Sequence, residues 1–457
     1  MKTSVPRIMI AAPGSGSGKT TVTCAVISAL RNEGVKPAAF KCGPDFIDPM
    51  FHSRVLGEGS TNLDLFLMGE QACKSLLTEK ARRSAVAVIE GVMGYYDGMG
   101  TTELGSSYQL ARETGTPVVL IVGCGGIAAT LAAILKGIVD FRPDSNVKGV
   151  IFNKIRPEMY AFYKTVVESH TSLAVLGYMP DMPDCRFESR HLGLVTADEI
   201  GDLQAKINRL AAQAAATVDL DAVLKIASSV GELEYSPLDI QKQAHVKIAV
   251  ARDRAFCFYY EDSIKVLEKM GAEIVAFSPL ADDSLPECDG FILGGGYPEL
   301  YLEQLSQNTG LLRSVKKAVD GDKPCIAECG GFMYLHDSIM QTDGRVFKMA
   351  GVIDGQATMT GRLSRFGYVK LIAKRDNLLC ATGGSIGGHE FHYSDSTACG
   401  DGFTAEKPLS GKQYDCIVTG PALFAGYPHI HFLGDINFAA SFLLACEKNK
   451  QTKSVLL

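Results

Sequence analysis

The stretch "RIMIAAPGSGSGKTT", residues 7–21, places an apolar run, a glycine-rich loop and a Gly-Lys-Thr sequence in direct succession. Backbone N–H groups of such a loop turn inward onto phosphate oxygens, and a helix that begins there adds the positive end of its dipole. The stretch therefore predicts a strand, a P-loop for ATP and a helix. The residues predicted to bind ATP are Gly14, Ser15, Gly16, Ser17, Gly18, Lys19, Thr20 and Thr21, and the Thr20 hydroxyl is predicted to ligand Mg²⁺.

One position departs from the GxxxxGK[ST] pattern, because Pro13 stands where the first glycine is usual. A bare glycine-rich turn is one alternative interpretation of the loop. A dinucleotide fingerprint is a weaker one, since the Lys-Thr pair has no role there.

Apolar runs and helical patterns alternate along the first half of the chain, which is typical of an α/β fold with a parallel sheet. A polar, aperiodic segment, residues 229–245, is predicted to be a linker between residues 1–228, a P-loop domain, and residues 246–457, a second α/β domain. The predicted strands are 7–12, 37–41, 85–89, 118–122, 148–152, 246–251, 273–278, 290–293 and 324–327. Residues 345–420 are richer in Gly, Ser and Thr and less regular.

Composition excludes several classes of protein. With 46% apolar and 21% charged residues over 457 positions, a packed globular protein is expected. The formal charge of −6 provides no basic field for nucleic acid. Thirteen scattered cysteines, an odd number, favour reduced thiols and a cytoplasmic location.

Residues 114–135 carry no charge and are long enough to cross a bilayer. A strand, a glycine turn and an Ala/Leu helix explain the segment better, because strands of a parallel sheet are covered on both faces. We expect no membrane association.

Two stretches, "FKCGPDFIDP" (residues 40–49) and "VAVIEGVMGYYDG" (residues 86–98), carry their acidic residues just after a predicted strand. Ligands of open α/β sheets lie outside the carboxyl ends of the strands, so these side chains are expected beside the P-loop. Lys41, Asp45, Asp48, Glu90 and Asp97 form this set, with Asp45 and Glu90 as candidate Mg²⁺ ligands. Asn153, at the end of another strand, is either an adenine contact or a capping residue.

A second constellation is "CIAECGG", residues 325–331. Cys329 follows a buried strand and precedes two glycines and a helix, which is the pattern of a nucleophile elbow. Gly330 and Gly295, in the upstream loop "LGGGYPE", are predicted to donate to an oxyanion. Cys325, inside the strand, is predicted to be a core residue.

A thiolate nucleophile needs a base, and spacing alone does not choose between two histidine clusters. His389 and His392 lie in "GGHEFHYS", and His429 and His431 in "GYPHIHF".

The ordered motifs "GPDFID", "EGVMGYYDG", "RHLGLV", "AECGG" and "GHEFHYS" resemble the cobyrinic acid a,c-diamide synthase family over nearly the whole chain. That family combines a dethiobiotin synthetase-like P-loop domain with a triad-class glutamine amidotransferase domain. The resemblance implies Cys329 as nucleophile, His429 as its base, and Lys41 as a lysine that neutralises the transferring phosphate. It also implies Mg²⁺ or substrate-phosphate contacts at Asp45, Asp48, Glu90 and Asp97.

Two departures from ordinary amidotransferases affect the thiol site. Ala327 replaces the first glycine of Gly-x-Cys-x-Gly, and His431 stands where a glutamate usually follows the histidine. The third member of the triad is thus absent from its usual place, and Glu390 is a candidate substitute.

The resemblance further implies ATP- and L-glutamine-dependent amidation of a polycarboxylate tetrapyrrole at its a and c side chains. Candidate cations for the substrate are Arg186, Arg190, His191, Arg362 and Arg365. Sirohydrochlorin, its nickel form and sirohaem are alternative substrates. A switch ATPase with an inactive amidotransferase-like domain, and a thiol enzyme unrelated to glutamine, are alternative functions. The oligomeric state stays open, with a homodimer as one candidate.

Overall fold

A computed structural model describes residues 1–187, 189–190, 193–194 and 196–456, with side chains described except at 188–195, 198 and 453–456. The chain divides into two compact units, Met1–Leu238 and Asp239–Leu457. The division falls inside the segment predicted to be a linker.

The first unit is built on a seven-stranded sheet whose neighbouring strands are all parallel. All five strands predicted in this half are present, and two edge strands are additional. In spatial order the strands are Thr61–Leu63, Pro37–Cys42, Val86–Glu90, Arg7–Ala11, Val118–Gly123, Val147–Asn153 and Ala174–Met179. The helices are Lys19–Asn32, Ile47–Leu56, Leu65–Ala81, Ser107–Glu113, Ala129–Asp140, Tyr160–His170, Leu203–Thr217 and Leu220–Ser228.

The central strands of this sheet are buried at every position, as expected where helices cover both faces. The carboxyl ends of parallel strands meet at one edge. The P-loop and the two acidic stretches all follow strands of this sheet and therefore meet there. Asn153, the last residue of the strand Val147–Asn153, lies at the same edge.

Part of the predicted linker belongs to the first unit. Leu233–Glu234 pairs antiparallel with Lys2–Thr3. The buried Arg7 guanidinium donates to the carbonyls of Gly231 (3.2 Å) and Thr114 (2.8 Å). These hydrogen bonds from one buried cation hold the segment against the first unit. A polar, aperiodic sequence does not predict such an attachment.

The apolar segment at residues 114–135 folds as a strand, Val118–Gly123, a turn, and a helix, Ala129–Asp140, in line with the prediction. Over the part of the chain that the structure describes, no helix has the length and apolarity needed to span a membrane.

The second unit contains a six-stranded sheet that includes the four strands predicted for it. Its strands in spatial order are Ala272–Phe277, Val246–Ala251, Gly290–Leu293, Cys325–Glu328, Leu423–Gly426 and Val418–Thr419. The pairs are parallel except the last, which is antiparallel. The helices of this unit are Glu261–Lys269, Leu302–Gln307, Thr309–Asp320, Gly330–Leu335 and Ile436–Leu456.

The irregular region contributes two smaller sheets whose strands the sequence did not separate. A five-stranded antiparallel sheet orders Gln413–Cys416, Phe403–Glu406, Arg365–Ala373, Ser385–His392 and His429–Ile430. A four-stranded mixed sheet orders Val346–Lys348, His336–Met340, Ile353–Met359 and Ser394–Ser396. The first of these sheets carries two histidine-bearing strands side by side.

Two hydrophobic cores lie on opposite faces of the six-stranded sheet. Ile326 packs into the core shared with the five-stranded sheet and the C-terminal helix. Cys325 and Ala327 pack into the other core, with Phe332 of the helix after the nucleophile elbow. Burial raises the pKa of the Cys325 thiol well above its ordinary value. Cys325 is thus an inert core residue, as the sequence predicted.

Candidate functional site

The P-loop connects the strand Arg7–Ala11 to the helix Lys19–Asn32, and Gly18 caps that helix in the left-handed region at φ 89°. Ser17 Oγ donates to the carbonyl of Gly14 (2.8 Å). Lys19 Nζ donates to the carbonyls of Met93 (2.5 Å) and Gly14 (3.2 Å). The lysine therefore spans the loop and contacts the segment after Glu90, where it can meet a phosphate.

Glu90 lies at the centre of a buried polar cluster at the edge of the sheet. Its Oε1 accepts from Thr20 Oγ1 (2.7 Å) and Lys41 Nζ (3.1 Å), and its Oε2 lies 2.7 Å from His52 Nε2. Asp48 joins the cluster, with its oxygens 2.6 Å from Lys41 Nζ and 3.1 Å from Thr20 Oγ1. Residues from four separate segments thus surround the hydroxyl that follows the P-loop lysine.

The charges in this cluster shift each other's ionisation. Burial alone would raise the pKa of Glu90, but Lys41 and His52 lower it well below its ordinary value, so the carboxylate is ionised. The carboxylates of Asp48 and Glu90 outweigh burial and raise the pKa of Lys41. Burial, with Asp45 and Glu90, raises the pKa of Asp48, and Lys41 opposes that shift.

Lys19 loses its proton more easily than a surface lysine does. Burial, followed by the neighbouring Lys41 ammonium, lowers the pKa of Lys19 to about 8. An anionic phosphate at the loop would oppose both effects and favour the charged lysine.

Three of the residues predicted for the ATP site hydrogen-bond to nearby backbone groups. Asp45 Oδ1 accepts from the backbone of Ile47 (2.7 Å) and Asp48 (3.0 Å), at the start of helix Ile47–Leu56. Asp97 accepts from Gly94 N (2.9 Å) and adds to the field on Lys19. Asn153 Nδ2 donates to Ser17 O (2.8 Å), so this side chain braces the P-loop.

The oxygen donors of Thr20, Glu90 and Asp48 fit Mg²⁺, which prefers oxygen ligands and usually takes one or two carboxylates plus substrate phosphates. Among the described side chains, no three His, Cys, Asp or Glu residues form a ready metal cage. The cluster therefore offers oxygen ligands to a cation that arrives with its nucleotide.

The candidate substrate cations are scattered. Arg362 is exposed, and its carbonyl accepts from Thr360 Oγ1. Arg186 pairs with Asp181 on the surface (2.7 Å), and Arg365 lies 3.8 Å from Glu390. His191 and the side chain of Arg190 lie outside the described residues.

Cys329 occupies a strained backbone position between the strand Cys325–Glu328 and the helix Gly330–Leu335. Its φ of 48° and ψ of −101° are rare for a residue with a side chain. Its N–H donates to Gly426 O on the neighbouring strand (2.8 Å). This is the geometry of a nucleophile elbow, which lifts the thiol to the edge of the sheet.

The glycine loop at residues 294–296 packs against the elbow. Gly331 N donates to Gly294 O (2.9 Å), and Tyr259 Oη accepts from Gly294 N (2.8 Å). A Cβ at Gly295 would lie 2.6 Å from His429 Cε1, so only glycine permits this approach. Gly330 is the first residue of its helix and its N–H has no intrahelical acceptor, as an oxyanion donor requires.

The structure brings His429, of the two histidine clusters, to the nucleophile. Burial alone would lower the pKa of His429. Its hydrogen bonds to Cys329 and Glu328 outweigh that effect and raise the pKa to about 10. Its Nδ1 lies 3.1 Å from Glu328 Oε2. The arrangement favours an imidazolium beside the thiol.

The other three histidines of the clusters are buried and neutral. Burial lowers the pKa of His389 to about 3, of His392 to about 4 and of His431 to about 3. His389 is the cross-strand partner of His429, and His431 Nδ1 accepts from Leu433 N (3.2 Å).

Glu390 does not take the third triad place that the sequence left for it. Its carboxylate accepts from Tyr414 Oη and lies 3.5 Å from Lys407 Nζ and 3.8 Å from Arg365 Nη1. These partners lie on the five-stranded sheet, so Glu390 is part of a separate buried charge network.

Three residues of these sites were missed from the sequence: His52, Tyr259 and Glu328. His52 is on a helix, and its contact with Glu90 arises because that helix packs over the sheet. Glu328 follows the predicted strand 324–327 and was assigned no role. Its position directly before the nucleophile was the available signal.

The neutral histidines predict acid lability of the second unit. Below about pH 6.5 the unfolded chain protonates these imidazoles, whereas the folded chain keeps them neutral to about pH 3–4. The unfolded state then binds more protons, so stability falls as pH falls, by about 1.4 kcal/mol per pH unit for each histidine. His429 is protonated in both states there and does not oppose the loss.

His431→Asn keeps an acceptor for Leu433 N and removes one such imidazole. We expect the slope of unfolding free energy between pH 6 and 4.5 to decrease by about 1.4 kcal/mol per pH unit. Hydrogen exchange in peptides from Ser385–His392 during urea titration measures it. His170→Asn, at an exposed site, is the control. An unchanged slope in His431→Asn would contradict the assignment.

Comparison with known proteins gives the same two-part division. Residues 8–195 match the family described as the CobQ/CobB/MinD/ParA nucleotide binding domain, and residues 247–436 match the CobB/CobQ-like glutamine amidotransferase domain. The α/β fold of a P-loop domain followed by an amidotransferase domain, predicted from the sequence, is confirmed.

Three relatives bear the name cobyrinate a,c-diamide synthase. That of Caldanaerobacter subterraneus subsp. tengcongensis is 38% identical, covering 93% of this chain and 94% of its own. That of Fusobacterium nucleatum subsp. nucleatum is 40% identical, covering 94% of this chain and 98% of its own. That of Thermoplasma volcanium is 38% identical, covering 99% of each chain. On these matches, the chain belongs to the cobyrinate a,c-diamide synthase family of glutamine-hydrolysing carbon–nitrogen ligases.

Proposed function

We propose that this chain amidates the a and c side-chain carboxylates of cobyrinic acid, with ATP as the activating substrate and L-glutamine as the nitrogen source. Residues 1–228 are assigned the ATP-dependent step and residues 246–457 the release of ammonia. The names of the relatives support the tetrapyrrole, and the two family matches support the division of labour.

The observation that carries this proposal is that one chain contains both a phosphate-binding cluster and a thiol elbow. Thr20, Lys41 and Glu90 are hydrogen-bonded beside a P-loop, and Cys329 and His429 are hydrogen-bonded at a strand–helix turn. An inactive amidotransferase-like domain would have no need to keep a strained cysteine against a charged histidine.

The first step activates a carboxylate, which is a poor electrophile. The carboxylate oxygen attacks the γ-phosphorus of ATP, the bond to the β-phosphate oxygen breaks, and an acyl phosphate and ADP result. The protein's part is to position the groups and to balance charge. Backbone N–H groups of residues 14–18 and the Lys19 ammonium face the phosphates, and Lys41 offsets negative charge beside them.

Thr20, Glu90 and Asp48 are the side chains that would hold Mg²⁺, which when bound neutralises phosphate charge. His52 fixes Glu90 from behind through Nε2, while Thr20 binds the other carboxylate oxygen. The carboxylate is thus oriented before any cation reaches it, a common property of ligands backed by a second layer of hydrogen bonds.

The second step releases ammonia from glutamine. Cys329 Sγ attacks the side-chain amide carbon, the backbone N–H of Gly330 and the loop at Gly295 receive the oxyanion, and the C–N bond breaks. His429 gives its proton to the leaving ammonia. Water then hydrolyses the thioester to glutamate. Ammonia displaces phosphate from the acyl phosphate and completes the amide.

The substrate is tested by incubating the chain with ATP, Mg²⁺ and glutamine and one tetrapyrrole acid at a time. We expect mass spectrometry to show cobyrinic acid converted to its diamide. Sirohydrochlorin, nickel sirohydrochlorin and sirohaem are the comparison substrates. Amidation of one of these instead would change the substrate and keep the chemistry. No amide from any of them would overturn the proposal.

Cys329→Ser should abolish glutamine-dependent amidation, because a serine hydroxyl is not ionised by this histidine. Activity with added ammonium should remain near that of the parent chain. Amide product is measured with each nitrogen source. Cys325→Ser, at the core cysteine of the same strand, is the matched control and should keep glutamine use if it folds. Failure of ammonium to support Cys329→Ser would refute the division of roles.

Lys19→Ala should show the opposite pattern to Cys329→Ser, with the ATP-dependent step lost and glutamine hydrolysis kept. Loss of a charged group that meets the transferring phosphate should lower amidation with both nitrogen sources by about 10²-fold or more. Glutamine hydrolysis measured without tetrapyrrole should persist. Lys36→Ala, at an exposed lysine, is the control. Equal amidation by Lys19→Ala and the parent chain would exclude this lysine from the ATP step.

A further inference from the structure

Glu328 immediately precedes the nucleophile and ends the strand Cys325–Glu328. One carboxylate oxygen, Oε2, lies 3.1 Å from His429 Nδ1, and the other, Oε1, accepts from Ile430 N at 3.1 Å. The carboxylate therefore fastens both the ring and the backbone of the histidine segment. The side chain is 14% exposed, so water competes little for these bonds.

We propose that Glu328 is the positioning residue of His429 and completes a Cys329–His429–Glu328 triad. The carboxylate comes from the nucleophile's own strand, and not from the position two residues after the histidine. This inference rests on the proposed hydrolysis of glutamine by Cys329 and His429.

The other side chains around His429 do not supply a negative charge to its ring. His431, in the usual place of the acid, is fully buried and uses Nδ1 to accept from Leu433 N. His389, the cross-strand partner, is an imidazole with no negative charge. The Glu390 carboxylate is already bound by the Tyr414 hydroxyl and the Lys407 ammonium. Among the groups described on the strands beside it, Glu328 is thus the carboxylate that meets His429.

The hydrogen bond between Glu328 and Nδ1 determines which ring nitrogen of His429 can exchange a proton with the thiol. A carboxylate accepts only, so Nδ1 must carry a proton, and Nε2 is left for exchange with the thiol. The position a Cβ would take on Gly295 lies 3.2 Å from Nε2, so this nitrogen faces the glycine loop that packs on the elbow. The negative charge also stabilises the imidazolium, consistent with the raised pKa of His429.

The nucleophile and the acid are both held by backbone pairing to the strand that leads to His429. Glu328 pairs in parallel register with Gly426, and Cys329 N donates to Gly426 O. Two successive residues are thus pinned to the strand that leads to His429. At Cys329 the backbone turns at a φ of 48°, and His429 is hydrogen-bonded both to the thiol and to the carboxylate that precedes it.

Glu328→Gln tests the proposal, because it is nearly isosteric and removes the charge. The amide oxygen would accept from Ile430 N, and the NH₂ group would face Nδ1. The ring would then place its proton on Nε2 and could not accept one from the thiol. We expect glutamine-dependent amidation to fall by about 10²- to 10⁴-fold, with ammonium-dependent amidation unchanged.

A purely structural role would not move the pH profile. In Glu328→Gln the alkaline limb of kcat/KM for glutamine hydrolysis should shift to lower pH, because the imidazolium loses its carboxylate. Glu328→Asp keeps the charge, so its activity should lie between those of Glu328→Gln and the parent chain, with the alkaline limb near that of the parent. Glu390→Gln, at another buried carboxylate, is the matched control and should retain both rate and profile.

The outcomes separate two failures. If the parent chain shows no Cys329-dependent glutamine hydrolysis, the proposed function fails. If the parent hydrolyses glutamine and Glu328→Gln matches its rate and pH profile, the triad assignment alone is overturned. Equal losses in Glu328→Gln and Glu390→Gln, with unshifted profiles, would likewise overturn it by showing a general effect of buried carboxylates.

Discussion

Parallel strands of one sheet all end at the same edge, and each unit of this chain builds its site at such an edge. In the first unit, four strands deliver the P-loop, the segment with Asp48, the carboxylate of Glu90 and the amide of Asn153. In the second, neighbouring strands deliver the thiol of Cys329 and the segment that carries His429. Neither set is close in sequence. The hydrogen-bond ladder of the sheet is therefore what brings the reactive groups together.

Both sites bury charge and balance it locally. Glu90 has no exposure to solvent and is stabilised by Lys41 and His52. His429 is similarly buried, and the Glu328 carboxylate balances the positive charge of its protonated ring. A buried ion costs several kcal/mol unless it is paired, so these partners constrain each other strongly. Substitution of one partner leaves the other uncompensated, which is why charge-neutral isosteres are the informative variants.

Much of the fold was predictable because it depends on local patterns. Continuous apolar runs followed by glycine turns located five strands of the first sheet and four of the second. The P-loop and the elbow were found because glycine, lysine and cysteine occur there at fixed spacings. The antiparallel region at residues 345–420 was not resolved into strands. Its half-exposed strands alternate weakly, and their pairing partners are distant in the chain.

The sequence by itself determined the two chemistries, since a phosphate loop and a thiol elbow each need particular residues in an unbroken stretch. It also separated Cys325 from Cys329, because a strand interior and a glycine-flanked turn differ in pattern. Only the tertiary structure decided the partners. Glu328 and not Glu390 meets His429, and His52 supports Glu90, because these contacts depend on strand register and helix packing. Side chains that meet across a sheet leave no spacing signal in the sequence.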